Sequence, residues 1–240
     1  INDLADQDPE RLEKMKNLWF YEAGSYNGLP LDDRSAIEQV LAERPTPAPP
    51  RDRYEFYPGA ADVPETAGPR TIGRSFKIAA GVSVDSDGAE GVLWAAGGIP
   101  GGHSLYIKDG HLRYSYNWVG STMQDVTADA GVTPGDHVYA AEFTIEGPSK
   151  DESMPGAEGT LTLYCDDEEI GSGKIITQPG AFCLTGDGIC AGRDSSSAVT
   201  PAYEAPYPFT GGKLDKVVVD VSGEPYIDHE AEVRTWFAID

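Results

Sequence analysis

The apolar positions of this chain follow two different periods. Between Asp8 and Tyr26, Leu12, Met15, Trp19, Ala23 and Tyr26 recur every three or four residues and draw one apolar stripe along a helix. Asp8 serves as its N-cap, Pro9 suits the first helical position, and Glu10 puts negative charge where the helix dipole favours it. A lone helix of this length is marginal in water, so the stripe requires a body to lie against. Ser35 to Leu41 predicts one or two further turns. The run Pro45-Thr46-Pro47-Ala48-Pro49-Pro50 must stop them, because consecutive prolines remove donors and favour extended backbone.

From Ser75 onward the period becomes two, in short runs rich in β-branched and aromatic residues separated by Gly, Asp and Pro turns. This pattern predicts strands over 75–84, 90–96, 104–108, 112–117, 137–146, 159–165, 168–176, 188–193 and 213–221, and hence an antiparallel β-sandwich. Lys108-Asp109-Gly110-His111 is the clearest hairpin, since Asp-Gly suits the positive φ angles of a tight turn. Asp166-Asp167-Glu168-Glu169 predicts another, and Pro148 to Gly156 a mobile polar insertion. The chain thus divides into a helical segment (1–44), a proline-rich connector (45–70), a sandwich (71–225) and a tail (226–240) that starts a short helix at Asp228 or continues as a strand. Tyr54, Phe56 and Tyr57 are expected to pin the connector to a surface.

Composition narrows the function. With 240 residues, 40% of them hydrophobic, the chain can bury a full core. A formal charge of −22 repels phosphate backbones, which argues against nucleic acid as a partner. Sulfated glycans meet the same repulsion beyond a Debye length of roughly 8 Å at physiological salt. No apolar run is long enough to span a bilayer, so no membrane partner is expected, and Ile1-Asn2-Asp3 does not resemble a signal peptide. Cys165, Cys183 and Cys190 cannot all pair within one chain and lack the paired spacing of a zinc knuckle. Cys183 and Cys190 could close a small disulfide across a hairpin or remain thiols.

Candidate sites each face a plainer reading. Asp85-Ser86-Asp87-Gly88 has the oxygen density of a cation loop, with Asp85 and Asp87 as ligands, but a polar turn explains it with less. Asp194, with Ser195 and Ser196 after it, is a further cation candidate or simply a loop. Tyr106, Tyr114, Tyr116 and Trp118 could form an aromatic shelf for sugar rings, aided by Asn117 and His103, or could face the core. The four histidines are dispersed, and no G-x-S-x-G elbow accompanies Ser153, Ser195 or Ser196.

The stretch Asp8-Pro9-Glu10-Arg11-Leu12 through Leu29-Pro30-Leu31-Asp32-Asp33-Arg34 resembles the closing helix and exit loop of an arylsulfatase catalytic domain. Further phrases resemble the C-terminal concanavalin- or laminin-G-like jelly roll of bacterial arylsulfatases. These are Phe56-Tyr57-Pro58-Gly59, Glu90-Gly91-Val92-Leu93, Gly101-Gly102-His103-Ser104-Leu105-Tyr106, Tyr116-Asn117 and Pro206-Tyr207-Pro208-Phe209-Thr210-Gly211, and they occur in the family's order. That family's chemistry rests on formylglycine made within a Cys/Ser-x-Pro-x-Arg motif, beside a divalent cation such as calcium. The motif is absent here. The resemblance therefore implies a noncatalytic C-terminal portion of a sulfatase, without a cofactor of its own, packed on a catalytic domain outside the chain. Trp19, Phe20, Tyr54, Phe56 and Tyr57 are the expected interface anchors. A carbohydrate-binding, lectin-like module is the alternative, and self-association a third role.

Overall fold

The structure, a computed structural model, describes residues 5–34, 49, 51–85, 88–180, 182, 188–195 and 197–223. The predicted turns at Ser35–Leu41, the terminal element from Asp228, Asp87 and Cys183 lie outside these residues. Two compact units divide the chain at Glu43 and Arg44.

The first unit carries helix α1, Pro9–Ser25. Asp8 caps it by accepting a hydrogen bond from Arg11 N at 3.0 Å, and Pro9 opens it, as the sequence predicts. None of its residues is buried.

The second unit is mainly β, and its two antiparallel sheets form a sandwich. Its strands are β1 (Arg53–Phe56), β2 (Phe76–Val84), β3 (Gly91–Gly98), β4 (Gly101–Lys108), β5 (His111–Trp118), β6 (Thr122–Gly131), β7 (Gly135–Pro148), β8 (Ala157–Cys165), β9 (Glu168–Thr177), β10 (Ile189–Ala191) and β11 (Gly212–Asp220). One sheet runs β1-β11-β2-β7-β8-β9 and the other β10-β3-β4-β5-β6. The core lies between them. Phe76, Ile78, Ala80, Val82 and Val84 alternate inward along β2, facing Leu105 and Ile107 of β4 and Tyr114 and Tyr116 of β5 across the layer.

Two strands depart from the sequence reading. The segment read as connector supplies β1, whose Phe56 enters the core while Tyr54 packs against it. Phe56 is therefore a core residue and not an interface anchor. The edge strand β6 was not predicted. Its sequence, Thr-Met-Gln-Asp-Val-Thr-Ala-Asp-Ala-Gly, is mostly polar, and only Val126 and Ala128 are buried.

Candidate functional site

The central strands of the five-stranded sheet are buried on both faces, because a strap from Gly192 to Gly211 covers the face that would otherwise meet water. Val92, Ala95, Tyr106 and Cys190 pack there under Tyr203. A register shift between Val92 and Trp94 turns both Leu93 and Trp94 toward the main core. The strap is tied to the sheet by a backbone bond from Val92 N to Tyr207 O at 3.0 Å, and its two ends are joined by one from Phe209 N to Gly192 O at 2.9 Å. Gly91 permits this close approach: its φ is 115°, and a Cβ there would meet Pro208 O at 2.3 Å.

This covering decides several sequence-predicted sites. Tyr106, Tyr114 and Tyr116 are at most 1% exposed, so the solvent-facing sugar shelf is not formed; Trp118 alone of the four is half-buried. His103 is likewise buried. Its Nδ1 lies 2.7 Å from Tyr114 Oη and its Nε2 3.0 Å from Thr71 Oγ1, within a nest of Phe76, Trp94, Tyr116 and Phe182. Burial pushes its pKa down to about 3, which marks a neutral core imidazole. Asn117 donates through Nδ2 to Gly98 O, Ile99 O and Val199 O, pinning the strap to the β3–β4 turn.

Two of the cation candidates, Asp85 and Asp194, lie among the described residues. Asp85 is exposed at the end of β2, where its amide donates to Gly211 O. Asp194 is 1% exposed and holds the strap: its Oδ2 accepts from Val199 N at 3.0 Å and Tyr203 Oη at 2.7 Å. Cys190 is a free thiol that donates to Arg193 O at 3.0 Å, and Cys183, its candidate disulfide partner, lies outside the described residues. Desolvation pushes this thiol up to about 12, leaving it inert.

Among the described residues, one cluster of metal-ligating side chains was not anticipated: His137 at the start of β7, Cys165 at the end of β8, and Asp166 in the following turn. His137 Nδ1 lies 2.7 Å from Asp166 Oδ2, and Cys165 Sγ lies 3.8 Å from each of those atoms. The Asp166 contact raises the His137 pKa, while desolvation raises that of Cys165. The predicted turn at Asp166 and the predicted start of β7 at His137 were both visible in sequence. Counting the hairpin register between them would have placed Cys165 opposite Tyr139.

A second surface cluster surrounds Tyr207, which is half-buried, stacks on Tyr203 with ring centroids 5.1 Å apart, and has Lys108 Nζ 5.6 Å from its ring. Its hydroxyl donates to Glu90, whose other oxygen accepts from Asp109 N at 2.8 Å. Arg113 donates to Asp109 at 2.9 Å through Nη2, while its Nε is buried without a partner.

The helical unit, taken by itself, presents Met15, Leu18, Trp19, Phe20 and Tyr21 at exposures of 49–71%. Trp19 and Phe20 meet edge to face, with centroids 5.1 Å apart. Tyr57, the remaining anchor candidate, is exposed in the second unit. No helix is long and apolar enough to cross a membrane among the described residues.

No protein-family model matches the chain, and no curated protein sequence matches it. Solved structures do. The CBM40 of a Ruminococcus gnavus IT-sialidase, bound to α2,3-sialyllactose, is 16% identical with a TM-score of 0.44, over 77% of this chain and 96% of that one. Domains LG4-5 of the mouse laminin α1 chain are 12% identical with a TM-score of 0.44, over 84% of this chain and 48% of that one. A heptameric SAP-like pentraxin of Limulus polyphemus is 12% identical with a TM-score of 0.38, over 77% and 82%. At these identities and scores nothing about ligands passes to this chain.

Proposed function

We propose that the chain is a noncatalytic β-sandwich module that works against an enzyme's catalytic domain, with α1 in the contact. The observation that carries this reading is the helix itself. It is capped at its start, yet its own unit leaves its large apolar side chains uncovered. Covering a Trp, Phe, Met or Leu side chain contributes about 1.5–3 kcal/mol each, so a docked surface there is worth several kcal/mol. The resemblance of this helix and the following exit loop to arylsulfatases names the class of partner: a sulfuric ester hydrolase domain. Formylglycine and a calcium ion would belong to that domain.

The test is sulfate release from an aryl sulfate, in the presence of calcium, by a separately produced arylsulfatase catalytic domain with and without this chain. The mixture is expected to exceed the domain alone, and the paired change Trp19→Ala, Phe20→Ala to remove the gain. Sulfate release by this chain alone, or a mixture no better than its parts, would overturn the proposal.

The Tyr207 cluster favours a second reading, glycan binding. A half-exposed phenol ring ringed by Lys108, Glu90, Asp109 and Arg113 offers a stacking surface beside hydrogen-bonding groups. Binding to a glycan panel that is lost with Tyr207→Ala and kept with Trp19→Ala would support it; no binding to any member would remove it.

A further inference from the structure

The cluster on β7 and the β8–β9 turn is independent of the docking reading. We propose that His137, Cys165 and Asp166 form a binding site for a borderline-soft divalent cation of the zinc type, with water completing the coordination.

Geometry supports the set. A tetrahedral zinc with bonds of about 2.0–2.3 Å spaces its ligand atoms about 3.3–3.5 Å apart. The two sulfur separations of 3.8 Å need only tighten slightly. The 2.7 Å gap between His137 Nδ1 and Asp166 Oδ2 must open by roughly 0.6 Å, exchanging one hydrogen bond for two bonds to the cation.

The backbone holds each ligand in place. Tyr139 pairs with Cys165 in the β7–β8 ladder. Asp166 and Asp167 then turn the chain with φ of 50° and 69°, the positive angles of a tight hairpin. Asp166 Oδ1 accepts from Val138 N at 2.7 Å, which fixes the carboxylate and leaves Oδ2 directed at the imidazole. His137 Nε2 lies 3.3 Å from Thr133 Oγ1, so a proton held on Nε2 leaves the Nδ1 lone pair free for the cation.

An unexplained buried group points to the same place. Tyr139, the cross-strand neighbour of Cys165, is 2% exposed, and its hydroxyl has no hydrogen-bond partner of regular geometry. A metal-bound thiolate would give that hydroxyl a strong acceptor.

The donor set selects the cation. Calcium takes six to eight oxygens, whereas one imidazole, one thiolate and one carboxylate suit zinc or cobalt. Binding releases the Cys165 thiol proton to solvent and forms the sulfur–metal bond, so affinity rises with pH. The net charge of −22 draws cations toward the surface, and the half-exposed ligands leave a route in.

The experiment is titration of the reduced full chain with cobalt(II), followed by the thiolate-to-cobalt charge-transfer band in the near ultraviolet. One equivalent is expected to develop the band, and zinc to bleach it by displacement. Cys165→Ser should abolish it, whereas Cys183→Ser and Cys190→Ser keep it. His137→Gln should weaken binding at least about tenfold. Absence of the band, or its survival in Cys165→Ser, would overturn the site. Circular dichroism checks that each variant folds. If Cys165→Ser does not, His137→Gln decides: unchanged affinity there also refutes the assignment.

Discussion

Removing the Asp194 carboxylate should loosen the strap from the sheet it covers. In Asp194→Ala the amide of Val199 loses its acceptor, and the Tyr203 hydroxyl retains only Ser104 Oγ, 2.9 Å away. A hydrogen bond to a charged group is worth about 1.5–3 kcal/mol, and an orphaned buried donor adds its own desolvation cost. One full loss at Val199 and a partial loss at Tyr203 put the destabilisation at about 2–4 kcal/mol. Asp194→Asn retains an acceptor of the same shape and should cost about half as much. Urea unfolding gives the stability change. Amide exchange gives its location: Val199, Val92 and Phe209, whose amides tie the strap, should lose protection before β2 and β7 do. A loss under about 0.5 kcal/mol, with Val199 as protected as in the parent, would mean that this carboxylate does not anchor the strap.

Two further changes follow from single residues. Val119 holds a φ of 49° in the β5–β6 turn, a conformation that a β-branched residue adopts only under strain; Val119→Asn should raise the urea midpoint by the equivalent of about 1 kcal/mol. His103 is lowered by burial from 6.5 to about 3, so the unfolded chain binds its proton first as the pH falls. Between those values this group should cost about 1.4 kcal/mol of stability per pH unit, and His103→Phe should flatten that part of the stability profile whatever its effect at neutral pH.

Strand β2 was legible because it alternates without interruption, and the β4–β5 hairpin because Asp109-Gly110 fixes its turn. Strands β3 to β5 were legible as strands but not as doubly buried. The strap that covers them comes from about a hundred residues later, and nothing in the period of Tyr106 announces Tyr203 above it. Strand β6 was hidden because an edge strand can be polar along most of its length and still pair. The aromatic candidates failed for a related reason: a period of two says that Tyr114 and Tyr116 share a face, not which face water reaches. The approach of His137 to Cys165 lay in the β7–β8 register, which sets Cys165 opposite Tyr139, two residues along the same face from His137.

Sedimentation velocity of the chain mixed with a separately produced arylsulfatase catalytic domain measures the proposed association itself. A one-to-one complex is expected, with an affinity that falls at least about tenfold when Trp19 and Phe20 become alanine, the loss expected for two anchors of a contact. Two species that sediment independently, or a complex indifferent to those substitutions, would contradict it.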